Sequence, residues 1–333
     1  MALKLFSRKP SEVQATLQRS AAPSPAGKGQ DYRPAEKTRR TEDPLEQALQ
    51  RGRFGIILTR ADRWSDHPGF NAARAAATEA IDECFGIVPE GYASIPRTIT
   101  DEPGCPEEDY ETEPFLLARH AVTNAEFQMF VDDGGYQELE LWPQDIWPHL
   151  IGFKDLSDQP GPRFWRDGRH DRRLADHPVV GVCHYEADAY ARWAGFRLPT
   201  EPEWQMAATW RVRSSAHVRR RYPWGDALDL RHCNIWHSGR GGTSPVQAYA
   251  CGAAPNGVLQ LIGNVWEWTA SDFIVQGEQG QTIIGDMLMK GIRGGAYDTY
   301  FAWQATGTFR SGLACLARSH DVGFRCAMDL PSE

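Results

Sequence analysis

Apolar and polar positions follow two regimes along this chain. From Leu45 to Gly52 and from Asn71 to Cys84 the spacing is helical, the second stretch being Ala-rich with Ile81 and Cys84 three apart on one face. Between them Phe54-Gly55-Ile56-Ile57-Leu58-Thr59 is a continuous apolar run, which predicts a short buried strand. From Phe85 onward the apolar runs are short. Phe85–Val88 and Pro114–Leu117 read as strands separated by long polar loops. Helix starts are marked by Thr123 with Glu126 and by Thr200 with Glu203, pairs that fit a reciprocal capping box. The first opens a helix over Phe127–Val131 that stops at Asp133-Gly134-Gly135, and the second a helix over Trp204–Trp210. Tyr185–Ala194 sets Ala189 and Trp193 on one stripe and ends at Gly195, a natural left-handed C-cap.

Composition sharpens this picture. The 31 Gly and 22 Pro are scattered without a period, so the loops belong to an ordered, loop-rich fold. Ten of the 12 Trp fall between Trp142 and Trp268, which places the best-packed region mid-chain. Residues 1–45 carry nine Lys/Arg against five Asp/Glu and the run Ala21-Ala22-Pro23-Ser24-Pro25-Ala26-Gly27; they read as a flexible basic arm. Residues 46–84 read as an N-terminal extension with short helices, and 85–333 as the main domain. The net charge of -8 disfavours wholesale nucleic-acid binding, and no apolar run approaches the ~18 residues of a membrane span. The first ten residues meet charge and Pro before any signal-peptide core forms, and the seven irregularly spaced Cys make no C-x-x-C pair; a cytoplasmic protein with reduced thiols is expected.

The mid-chain motifs carry a family likeness. Asp176–Val182, Tyr185–Gly195 and Arg197-Leu198-Pro199-Thr200-Glu201-Pro202-Glu203-Trp204 are followed in order by Tyr222–Asp226, Asn234-Ile235-Trp236, Gly263–Thr269, Arg293–Tyr297, Ala317–Ser319 and Gly323–Cys326. Together they resemble the formylglycine-generating-enzyme, or sulfatase-modifying-factor, family from about residue 85 to 328. The resemblance implies an α+β fold: a variant of the C-type-lectin fold with little regular secondary structure, a surface groove built from its C-terminal segment and, here, an N-terminal helical extension.

Fold does not fix chemistry, which resides in individual side chains. The resemblance implies, for the enzymes of this family, two Cys after the R-G-G strand that hold copper(I), a soft metal suited to thiolates. Here Thr299 and Arg310 stand at those two positions, and 296–314 contains no Cys. Cys315 and Cys326 resemble positions that secreted relatives tie by disulfides, but the matching helix positions are Ala191 and Ala208; both thiols are expected to be buried and structural. The related sulfoxide-synthase branch draws three iron-binding His from an N-terminal domain, whereas His67 is the only His before residue 85. Neither copper nor iron is therefore expected.

What the resemblance does imply is calcium, held by backbone carbonyls and hard oxygen side chains. One site would use Asn234 and Ile235, the other Gly263, Val265 and Glu267. Two departures stand in this sequence: the loop His237–Gly242 lacks an acidic ligand, and Gln260 replaces the usual Asn or Asp. His232, Cys233 and His237, with Cys183 and His184, contain the donors of a zinc site without its spacing. The run Arg211, Arg213, Arg219, Arg220 and Arg221 lacks interleaved aromatics and reads as a solvated loop. Trp142, Trp147 and Trp165 fit a ligand cleft or a core equally.

The resulting expectation is a catalytically silent domain that binds a peptide, protein or small ligand through the groove formed by Asp298, Thr299, Tyr300, Trp303 and Arg310. Residues 1–84 would serve as an attachment arm for a larger complex, and a hypervariable retroelement-diversified display protein is a variant of the same reading. The competing expectation is an oxygen-dependent metal oxidase with a rearranged site at Cys315 or at His232, Cys233 and His237.

Overall fold

The computed structural model describes residues 43–96, 107–215, 219–276, 281–283 and 288–330. The expected basic arm, residues 1–45, lies almost wholly outside them. The helices are α1 (Pro44–Gln50), α2 (Phe54–Thr59), α3 (Phe70–Cys84), α4 (Asn124–Asp132), α5 (His184–Ala194) and α6 (Glu201–Thr209). Strands are β1 (Phe85–Val88), β2 (Gly91–Pro96), β3 (Glu107–Thr112), β4 (Phe115–Ala118), β5 (Trp266–Asp272), β6 (Val275–Gln276), β7 (Thr282–Ile283), β8 (Met289–Arg293), β9 (Arg310–Ala314), β10 (Val322–Gly323) and β11 (Ala327–Asp329). Their pairing gives a three-stranded sheet β1-β4-β11, a four-stranded sheet β10-β5-β8-β9 and two small hairpins, β2-β3 and β6-β7. No helix among the described residues is long and apolar enough to cross a membrane.

Local sequence accounts for the starts of α1, α4, α5 and α6. Thr123 and Glu126 close one capping box, and Thr200 and Glu203 another. At α5 the cap residue is Cys183, whose amide donates to Glu186 Oε2 at 2.8 Å. α1 starts at Asp43, which accepts from Leu45 N at 2.9 Å, with Pro44 in the first turn.

Phe54–Thr59 is a helix, correcting the expected strand. Six apolar residues fit either period, and a tertiary approach decides. α2 lies against the C-terminal end of α5, where Arg53 Nε donates to Trp193 O at 2.7 Å. Gly55 and Gly195 meet so closely that a Cβ on Gly195 would lie 2.0 Å from Ile56 N. Gly195 also needs φ 82°, so glycine is required there twice over. The helices before β1 share a small core of Leu45, Ile57, Trp64, Phe70 and Ala77.

The main core is aromatic. Phe127 stacks on Tyr190 at 5.4 Å between centroids, Phe130 meets Trp193 edge-on at 5.7 Å, and Phe324 abuts both Phe127 and Tyr190. Trp142 and Trp165 belong to it, while Trp147 is partly exposed; core packing, not a cleft, explains the first two. A second core gathers Trp204, Met206, Ala207 and Ala208 of α6 against Phe115, Leu117 and Leu261.

Three arginines of the run are not free: Arg219 grips Glu107 with two bonds of 2.9 Å, Arg213 reaches Glu111 and Glu90, and Arg211 reaches Asp109, so acidic β3 pairs with these three. Arg220 donates to Pro223 O, and Arg221 lies over the Tyr222 ring.

Candidate functional site

The site at the C-terminal segment begins where β8 ends. Gly294 and Gly295 adopt φ 99° and 77°, turning the chain away from the sheet. Thr299 locks the turn: its Oγ1 accepts from Ala296 N at 2.8 Å and its amide donates to Ala296 O at 3.0 Å. Tyr297 N donates to Asn264 O, and Trp236 N to Thr299 O, so the N-I-W segment and this turn share one backbone frame.

Beyond the turn the side chains face outward. Trp236, Tyr300, Phe301 and Trp303 are 55%, 58%, 53% and 44% exposed, an unusual surface concentration of large rings. They form a chain of ring contacts: Trp236 to Tyr300 at 6.1 Å, Tyr300 to Phe301 at 5.2 Å and Phe301 to Trp303 at 6.0 Å. Trp303 rests edge-on against buried Phe309 at 5.2 Å, and Phe309 packs on Trp266 at 6.0 Å. Beside the ledge, Asp298 accepts from His320 Nε2 at 3.1 Å, and the His237 ring lies 5.7 Å from Tyr300. The surface thus offers broad π faces, one carboxylate and two imidazoles.

Of the five residues expected to contact a ligand, Asp298, Tyr300 and Trp303 lie on or beside this ledge. Thr299 and Arg310 do not present free side chains. Thr299 is consumed by the turn. Arg310 is buried, bonded to Glu201 Oε2 at 2.7 Å and to Pro96 O at 2.9 Å, with Phe273 4.6 Å beneath its guanidinium. Arg293 approaches the same Glu201 at 3.3 Å and also donates to Gln205 and Gly307 O; full burial lowers its pKa to about 10. Together they make a two-arginine, one-carboxylate lattice that holds β8 and β9 to α6. Arg310 also lines a separate cavity of about 230 Å³ with Pro96, Tyr110, Ser271 and Ile274. Sequence reasoning left Phe301 and Trp236 out of the binding set; the run Tyr300-Phe301 beside Trp303 was the available signal.

The calcium expectation meets a filled site. Glu267, its one full carboxylate, takes Arg325 Nε at 2.7 Å on Oε2 and Arg325 NH2 at 2.7 Å on Oε1, with Trp204 Nε1 adding a third bond of 2.8 Å. A cation there would have to displace a buried guanidinium. Asn234 and Asn264 bond each other at 3.1 Å, while Asn234 Oδ1 accepts from Ser238 and Asn234 O from Asn264 N. Of the residues expected to hold calcium, Glu267 therefore has its carboxylate, and Asn234 its side chain and carbonyl, engaged by protein donors, and these bonds tie the two segments together. The expectation at Ile235, Gly263 and Val265 rests on their backbone carbonyls.

The other metal-donor candidates stay apart. Cys233 Sγ faces Asp229 O at 3.7 Å, His232 packs on Trp224 at 5.1 Å, and His237 lies against Tyr300. Burial pushes the Cys233 thiol up to about 12 and raises Cys183 and Cys326 as well, which disfavours thiolate at all three. Among the described residues no group of three or more His, Cys, Asp or Glu converges in a metal-holding cluster.

Comparisons place the chain among known proteins. Residues 72–330 match the model of a sulfatase-modifying factor enzyme 1-like domain. The inactive C-alpha-formylglycine-generating enzyme 2 of Mus musculus is 32% identical over 252 residues, covering 67% of this chain and 77% of that protein. The formylglycine-generating enzyme of Streptomyces coelicolor is 33% identical over 291 residues, covering 75% and 86%. Hercynine oxygenase of Mycobacterium tuberculosis is 40% identical over 169 residues, 47% of this chain but only 37% of that protein, so the chain spans little more than a third of that relative. The crystal structure of CarF shares the fold with a TM-score of 0.51 at 19% identity, covering 74% of this chain and 98% of that one.

Proposed function

Because the chain belongs to the sulfatase-modifying factor enzyme 1-like family, we propose that it uses the family scaffold for recognition, binding a peptide or small ligand on the Trp236–Trp303 ledge without redox catalysis. The carrying observation is the exposed ring chain Trp236, Tyr300, Phe301 and Trp303, anchored through Trp303 on Phe309. Large rings held rigidly at a surface make binding hot spots, because little side-chain entropy is lost when they are covered. Asp298 supplies charge beside them and so favours a ligand with a flat or cationic group. The side chains at the two positions expected to hold copper, Thr299 and Arg310, are both committed to structure, and 296–314 contains no thiol. Similarity to an inactive relative is consistent with this reading.

A displayed random-peptide library selected on the full chain, with counter-selection on a Tyr300→Ser/Trp303→Ser variant, tests it. Enriched peptides that bind the parent at least tenfold better than the variant support the proposal. Peptides that bind both alike contradict it. The second reading, an oxygen-dependent oxidase, draws on the 40% identity to the hercynine oxygenase segment. It requires metal donors from residues that the described structure keeps apart, and stoichiometric iron or copper in the purified chain would favour it.

A further inference from the structure

The ledge is built from two arms distant in sequence. One carries Trp236, the other Tyr300, Phe301 and Trp303, and the rings of the two arms meet between Trp236 and Tyr300 at 6.1 Å. A third segment, around Asn264, joins them from below the turn. Asn264 N donates to Asn234 O at 2.7 Å, two residues before Trp236, and Asn264 O accepts from Tyr297 N at 3.0 Å, three residues before Tyr300. One residue thus spends both of its backbone groups on the two arms. Gly263, its neighbour, donates to Gly294 O at 2.9 Å, at the base of the second arm. The direct bond between the arms, Trp236 N to Thr299 O, is long at 3.3 Å, so the two Asn264 bonds are the firmer coupling.

To aim its amide and carbonyl at both arms, Asn264 adopts φ 69°. Few L-residues take this left-handed conformation; Asn does so more readily because its short side chain bonds locally. Here that side chain is 1% exposed and fully engaged. Its Oδ1 accepts from Ser244 N at 2.8 Å and from Asn234 Nδ2 at 3.1 Å, while its Nδ2 donates to Gln260 Oε1 at 2.6 Å and to Ser244 O at 3.1 Å. Gln260 in turn donates to Pro245 O and Ala248 O, and Asn234 Oδ1 accepts from Ser238 Oγ at 2.8 Å, which closes the loop that carries Trp236. A buried polar network whose members are satisfied specifies one geometry, because every departure leaves a polar group unpaired.

We propose that Asn264 is the positioning residue of the ledge: its buried amide holds the left-handed backbone that sets Trp236 against Tyr300. The functional consequence rests on reading the ledge as the recognition site, but the positioning itself is measured without a ligand.

The experiment labels the full chain with 5-fluorotryptophan and follows the fluorine resonances of its 12 Trp. Trp236→Phe and Trp303→Phe assign two of them, and Tyr300→Ala marks the shift of the Trp236 signal when its ring contact is lost. Asn264→Ala is expected to reproduce at least half of that shift at Trp236, with a smaller change at Trp303, which stays seated on Phe309. Asn264→Asp keeps the acceptor and the left-handed tendency but loses the amide donor; it is expected to move Trp236 in the same direction by less, and it carries the test should Asn264→Ala not fold. Gly195→Ala, a strained substitution in another part of the fold, is expected to leave Trp236 in place. Peptides selected on the ledge are expected to bind Asn264→Ala at least fivefold more weakly than the parent. A Trp236 signal unmoved in both Asn264 variants, or moved equally by Gly195→Ala, overturns the proposal. A library that yields no ledge peptide defeats the recognition reading alone, and the fluorine signals still decide the role of Asn264.

Discussion

Glu267 and Arg325 form a two-pronged ion pair, with both contacts at 2.7 Å and both side chains essentially removed from solvent. It joins β5 to the segment before β11, and Arg325 extends it to Ala118 O and Leu259 O at 2.8 Å each. The pair therefore ties β5, β4 and the C-terminal segment together through the carboxylate expected of a calcium site.

Removing one partner leaves a buried charge without its mate. Arg325→Ala is expected to destabilise the chain by about 3–5 kcal/mol, measured by denaturant unfolding. Adding calcium or a chelator is expected to leave the melting temperature of the parent unchanged; a calcium-dependent rise would restore the cation site.

The ledge and its support separate cleanly by stability. Tyr300→Ala and Phe301→Ala, on exposed rings, are expected to change unfolding free energy by no more than about 0.5 kcal/mol. Phe309→Ala, beneath Trp303, is expected to cost about 3–5 kcal/mol. Equal costs at the two levels would mean that the ledge is core.

Buried His184 gives a pH signature. Burial lowers its pKa to about 4, with Nε2 3.1 Å from Thr269 O and no partner for Nδ1 among the described residues. Between about 6.5 and 4 the unfolded chain binds a proton at this residue that the folded chain refuses. Stability therefore falls as pH drops through that window, by on the order of 3 kcal/mol from this residue. His184→Gln is expected to flatten the slope of stability against pH there; an unchanged slope contradicts the assignment.

Gly195→Ala is expected to cost more than about 1 kcal/mol, since the left-handed φ of 82° and the contact with Ile56 both oppose a Cβ. A thermal melt matching the parent would show that α2 does not pack there.

Features set within a few residues were legible in the sequence. The capping boxes at Thr123 and Thr200 and the left-handed stop at Gly195 are local chemistry, and the structure holds them where the residues point. Features set across the chain were not. Phe54–Thr59 is helical because of a partner 140 residues away, to which Arg53 bonds. Arg310 lies in the segment expected to bind, but Glu201, 109 residues distant, takes its charge. Arg211, Arg213 and Arg219 find acidic β3 about a hundred residues back, a pairing that composition alone does not reveal. On the ledge, Tyr300 and Trp303 were readable because the stretch after the R-G-G turn is rich in rings; Trp236 joins them through a backbone contact at Thr299.

The most direct test of a recognition role without redox chemistry is the metal content of the full chain, purified after growth in medium supplemented with copper and iron and measured by elemental mass spectrometry. The account predicts well under one-tenth of an equivalent of either metal. One equivalent of copper or iron that survives gel filtration would contradict it.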